Sequence, residues 1–113
     1  MIKIIFLKNE NRYVGFECSG HAGFADFGKD IICASVSSIV QSTCLGFIKV
    51  LKLKVDMSRD DNKGYLKLVT PKKISDKDIE NSNLLFNVAL VSLKDLESGY
   101  SDYIKIEEKS YVY

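Results

Sequence analysis

With 113 residues, 46% of them hydrophobic and 27% charged, the chain has the size and composition of one globular domain with its own core. Its 16 basic residues balance 15 acidic ones to leave a net charge of +1, which gives no electrostatic case for nucleic acid or an anionic membrane as partner. No run is expected to reach the ~18 apolar residues of a membrane span, the opening apolar stretch is too short for a secretory signal, and 3 cysteines cannot all pair within one chain, so the expected setting is the reducing cytoplasm.

Residues 2–8 and 12–19 are rich in isoleucine and aromatics and flank the polar Asn9-Glu10-Asn11, which predicts a hairpin. Cys18, late in its second strand, reads as a small buried apolar group. The pattern then breaks. Gly20, Gly23 and Gly28 with Asp26 describe a loop, and Phe24 and Phe27 give it apolar anchors that can fold over a substrate. A phosphate-cradling reading of these glycines is weak, because the order G-x-x-x-x-G-K-[ST] is missing.

Asp30 is a favourable N-cap, and 31–53 read as a long helix with a broad apolar face made by Ile32, Val36, Ile39, Val40 and Phe47. Cys33 then falls at the third helical position. There the helix dipole and unpaired backbone N–H groups favour thiolate over thiol. His21, the only histidine, lies shortly before it and can complete a Cys–His nucleophile pair. Ser37, one turn beyond Cys33, shares its face and either supports the site or bonds back to a helix carbonyl, as the neighbouring hydroxyl residues can. Cys44 is on roughly the same face but ~16 Å further along. That separation excludes a Cys33–Cys44 disulfide and a shared zinc ion, so no metal is expected and Cys44 reads as core.

Residues 54–59 and 65–70 alternate as strands around the turn Asp60-Asp61-Asn62-Lys63-Gly64, and Pro71 closes the second of them. A second amphipathic helix is predicted over 76–98. Ser75 or Asp76 caps it, Ile79, Leu84, Leu85, Val88, Leu90, Val91 and Leu93 form its apolar side, and Gly99 stops it. Residues 103–107 make a fifth strand. The order β-β-α-β-β-α-β predicts an α+β single domain over 1–113: a largely antiparallel five-stranded sheet with two main helices packed on its faces.

Gly20-His21-Ala22, then Gly28, then Asp30-Ile31-Ile32-Cys33-Ala34-Ser35-Val36-Ser37 closely resemble the two-part signature of the ribosomal-processing cysteine protease family, Prp. The resemblance extends over nearly the whole chain. It implies a small cytoplasmic cysteine endopeptidase, usually a homodimer, that removes a short N-terminal extension from a protein of the large ribosomal subunit and needs no cofactor. By position, His21 matches the family's catalytic histidine and Cys33 its nucleophile. Asp30 and Ser37 match a recurring acidic and a recurring hydroxyl position, and Cys18 and Cys44 match no catalytic one. The segment with Gly20, Gly23, Phe24, Phe27 and Gly28 is then the substrate loop, closing over the bound peptide. An N-cap carboxylate beside the nucleophile would repel a thiolate, so Asp30 acts by holding the helix start or by orienting His21. Backbone N–H groups at the helix start are the natural oxyanion donors. Two other readings stay open on the residues alone. One is a non-catalytic ribosome-associated assembly factor. The other is a redox-sensing thiol protein in which Cys18 resolves an oxidised Cys33.

Overall fold

A computed structural model describes residues 1–21, 23 and 30–113 of the chain. The opening hairpin forms from the two apolar segments as expected: β1 (Ile2–Asn9) pairs antiparallel with β2 (Arg12–Ser19), which sets Ile4 opposite Cys18 and Phe6 opposite Phe16. The second hairpin joins β3 (Asp56–Asp60) to β4 (Tyr65–Val69). Between them Asp60 accepts from the N–H groups of Asn62 and Lys63, and Gly64 takes a left-handed φ of 59°. The last strand, β5 (Ile104–Ser110), does not extend a hairpin. It returns beside β1 in parallel, giving a five-stranded sheet of order β3-β4-β2-β1-β5 whose other pairings are antiparallel.

Two helices complete the fold. α1 (Ile31–Leu45) starts on Asp30, and α2 (Asp76–Gly99) starts on Ser75, whose side chain accepts from Asp78 N–H. Both pack into one core with Ile4, Phe6, Phe16 and Leu68 of the sheet. The helices therefore share one face instead of covering both. Among the described residues, the opposite face carries a small cluster of Leu7, Val14 and Val69, with Ile5 and Tyr111 packed against it.

Several boundaries differ from the sequence expectation, each for a local reason. The regular α1 ends at Leu45 and continues as a wider turn over Gly46–Val50, with Leu51 N–H reaching back to Gly46 O at 2.9 Å. Gly46 sits against α2, where an added Cβ would lie 3.1 Å from Leu85 Cδ1, and Lys52 at φ 55° ends the helical path. Gly99 is the last residue of α2 and not its stop, because Tyr100 N–H still reaches Leu96 O and Glu97 O. On α2 the buried side is Phe86, Ala89, Leu90 and Leu93, whereas Leu84, Val88 and Val91 are 64–66% exposed. The expectation about membrane-like runs is also corrected: Ile31–Val50 is long and apolar enough to cross a bilayer, with mean hydropathy 1.8. Ile32, Val36, Val40, Cys44 and Phe47 within it are buried in the sheet-backed core.

Candidate active site

The first turn of α1 is built by one carboxylate. Asp30 is 8% exposed, and its Oδ1 accepts from Ile32 N–H at 3.0 Å and Cys33 N–H at 3.1 Å. Its own carbonyl accepts from Ala34 N–H. Cys33 is thereby fixed at the third helical position, half-buried, at the positive end of the dipole. The expected unpaired N–H groups are absent at Ile32 and Cys33, because Asp30 takes both. A carboxylate so close opposes a thiolate by charge, so its contribution here is to hold the helix start in place.

Cys33 opens onto a cleft of about 610 Å³ whose wall also includes His21, Asp30, Ser37 and Gln41. The cleft lies between α1 and the ends of β1, β2 and β4, with Ile2, Cys18, Val36, Val40 and Leu66 supplying an apolar floor. Fold and chemistry meet here, since a histidine and a helix-start cysteine from separate segments face the same space. Of the expected substrate loop, Gly20 and Gly23 line this cleft, whereas Phe24, Phe27 and Gly28 lie outside the described residues.

Two backbone approaches position His21. Its carbonyl accepts from the Met1 ammonium. Gly20, at φ 88°, passes so close to β1 that an added Cβ would stand 2.4 Å from Met1 O. On the other side the imidazole rests on Gly64. A Cβ there would lie 3.0 Å from His21 Cε1, 3.2 Å from His21 Nε2 and 2.9 Å from Gly20 O. Sequence reasoning treats Gly64 only as a turn residue. Nothing local marks it as a platform for a histidine far away in the chain.

The other hydroxyls divide as their bonding dictates. Ser35 and Thr43 donate back to the carbonyls of Ile31 and Ile39, both at 2.7 Å. Ser37 instead faces the cleft and accepts from Gln41 Nε2 at 2.7 Å. Among the thiols, burial pushes Cys18 and Cys44 up to about 11. Cys18 is raised further by its proximity to Cys33. Both therefore stay protonated and unreactive near neutral pH.

The model of the family described as cysteine protease Prp matches residues 1–105. The chain belongs to the Prp cysteine protease family. Among its relatives, the ribosomal processing cysteine protease Prp of Mycoplasma genitalium is 34% identical over 92 residues, covering 81% of this chain and 85% of that protein. The Prp of Bacillus subtilis is 27% identical over 93 residues, covering 82% of this chain and 83% of its own. A crystal structure of the essential ribosomal processing protease Prp from S. aureus, in complex with a covalently linked product peptide, matches with a TM-score of 0.85 at 25% identity, covering 96% of this chain and all of that one. The mixed sheet with two helices is thus the Prp architecture.

Proposed function

We infer that the chain, acting as one cysteine protease domain, removes a short N-terminal extension from a protein of the large ribosomal subunit, with Cys33 as nucleophile and His21 as its acid–base partner. The observation that carries this reading is the convergence of Cys33, held at the third position of α1, and His21, seated on Gly64, in one cleft. An ordinary thiol, with a pKa of about 8.5, is only a few per cent thiolate at neutral pH. The helix start and an imidazolium at His21 both increase that share.

In this reading Cys33 Sγ attacks the scissile carbonyl and forms a tetrahedral intermediate. The intermediate collapses as the C–N bond breaks, and His21 gives its proton to the departing amine. The N-terminal fragment remains as a thioester on Cys33. His21 then takes a proton from water, the hydroxide adds to the thioester carbon, and the acid leaves as the thiolate is restored. Ile32 and Cys33 N–H are held by Asp30 and are poor candidates for the oxyanion donors. Asp30 and Ser37 are positioning residues in this scheme, the first through the helix start and the second through Gln41.

The reading places the protein in the cytoplasm, as a homodimer without nucleic acid, membrane or cofactor. Support for the second copy comes from Leu84, Val88 and Val91, an exposed apolar stripe with helical spacing on α2. The test is direct: the purified chain is incubated with the extended ribosomal protein of the same organism and the products are weighed. A single cut giving two fragments whose masses sum to the substrate plus one water is expected. Intact substrate after incubation with equimolar protein would refute the reading.

A further inference from the structure

The oxyanion of the tetrahedral intermediate needs donors near Cys33, and the first turn of α1 has few left to give. Ile32 and Cys33 N–H go to Asp30 Oδ1, and Ala34 N–H goes to Asp30 O. A side chain that faces the cleft must then supply a donor. Ser37 and Gln41 both line it, about one and two turns beyond Cys33.

Bonding separates Ser37 from the other hydroxyls of the helix. Ser35 and Thr43 spend their protons on the carbonyls of Ile31 and Ile39. Among the described residues Ser37 makes no such bond to Cys33 O, and instead accepts from Gln41 Nε2 at 2.7 Å. A hydroxyl has one proton and two lone pairs. With a lone pair held by the amide, the Ser37 proton stays available to the cleft. The amide also polarises the hydroxyl, which makes it a stronger donor.

Helix geometry brings that proton to the reacting atoms. Four residues turn about 40° beyond one full turn, so Ser37 stays on the face of Cys33. Cβ atoms at this spacing are about 5–6 Å apart, and helical side chains lean toward the N-terminus. Ser37 Oγ thus leans back over the turn that carries Cys33. The oxyanion forms on the carbon bonded to Cys33 Sγ, within hydrogen-bond reach of Ser37.

We propose that Gln41 is a positioning residue that directs the Ser37 hydroxyl proton into the cleft, where Ser37 donates to the oxyanion formed at Cys33. The proposal rests on the protease reading above and takes Ser37 from positioning to direct contact with the reacting atoms. No bond to Ser37 forms, and its hydroxyl keeps its proton throughout. The hydrogen bond strengthens as negative charge collects on the carbonyl oxygen and weakens again as the C=O of the thioester returns. Such a contact raises kcat and leaves ground-state binding alone.

Two rates, measured on each variant, test this. One is kcat for cleavage of the extended ribosomal protein. The other is alkylation of Cys33 by iodoacetamide, read by mass on the peptide that carries it. Alkylation displaces iodide from a saturated carbon, so it uses the same thiolate but builds no oxyanion. Dividing the first rate by the second cancels any change in the thiolate or the helix start. Gln41 is exposed, so Gln41→Glu and Gln41→Met are expected to fold. A glutamate carboxylate has nearly the same shape but only accepts, so it draws the Ser37 proton away from the cleft. The ratio is expected to fall about thirtyfold in Gln41→Glu and in Ser37→Ala, the share of a hydrogen bond to a charged group. In Gln41→Met, where Ser37 keeps its proton but loses its guide, about fivefold is expected. Ser37→Thr keeps a hydroxyl and should recover most of the loss, and KM should hold throughout. A ratio unmoved by Gln41→Glu overturns the role of Gln41. A ratio unmoved by Ser37→Ala, including one where alkylation falls as far as cleavage, overturns the oxyanion contact while leaving the protease reading intact. Failure of the unaltered protein to cut overturns both.

Discussion

Cys33→Ala is expected to reduce cleavage of the extended ribosomal protein by a factor of about 10⁴ or more, because loss of the nucleophile removes the covalent step itself. His21→Ala should cost about 10² to 10⁴, the usual share of a positioned acid–base group. Neither change should reduce stability much. Cys33 is only half-buried, and the helix start is held by Asp30, which both variants retain. Cys18→Ser and Cys44→Ala should show the reverse pattern. Their thiols are buried in the core or packed against it, so these changes should lower the midpoint of unfolding more than turnover. Circular dichroism melts alongside cleavage rates separate the two classes. Near-normal processing by Cys33→Ala would remove the nucleophile assignment.

The signals that are legible in this sequence are local ones. Asp30 before an apolar run marks a helix start, and the observed cap accepts from Ile32 and Cys33 N–H. The apolar segments 2–8 and 12–19 and the alternating 65–70 form strands, and Ser75 caps α2. What sequence does not display is decided between distant segments. The parallel return of β5 beside β1, and the placement of both helices on one face, follow from burying Ile4, Phe6 and Phe16 under Phe86 and Val36 together. Leu84, Val88 and Val91 have the spacing of a core stripe, yet Phe86, Ala89 and Leu93 take the core, so periodicity on an apolar-rich helix leaves its rotation undetermined. The wide turn after Leu45 depends on Gly46 meeting Leu85, again a contact between helices.

The same contrast holds at the site. His21 and Cys33 stand out because each is chemically distinctive and a short segment separates them. Gly64 does not, although it carries the imidazole. Gly64→Ala is therefore expected to have an effect next in size to those at Cys33 and His21. Its φ of 59° costs a residue with a Cβ about 1–2 kcal/mol. The added carbon would press on Gly20 O and on His21 Cε1 and Nε2 at 2.9–3.2 Å. A shift of about 1 Å in a reacting group can cost about 10²-fold. The prediction is a loss of that order in kcat, with the fold retained and Tm lowered by several degrees. Asn62→Ala, in the same turn but not among the residues that line the cleft, is the comparison: it should leave kcat within about twofold. If Gly64→Ala cleaved as fast as the unaltered protein, the seat of His21 on this turn would have no part in catalysis.

The central claim is a covalent intermediate on one named sulfur. It is tested by mixing the protein with its extended substrate, quenching in acid within the first turnovers, and locating any added mass by peptide fragmentation. The account predicts a thioester that joins the C-terminal carbonyl of the removed extension to Cys33, sensitive to hydroxylamine and missing in Cys33→Ala. Active protein that carried no such adduct, or carried it on Cys18 or Cys44, would contradict it.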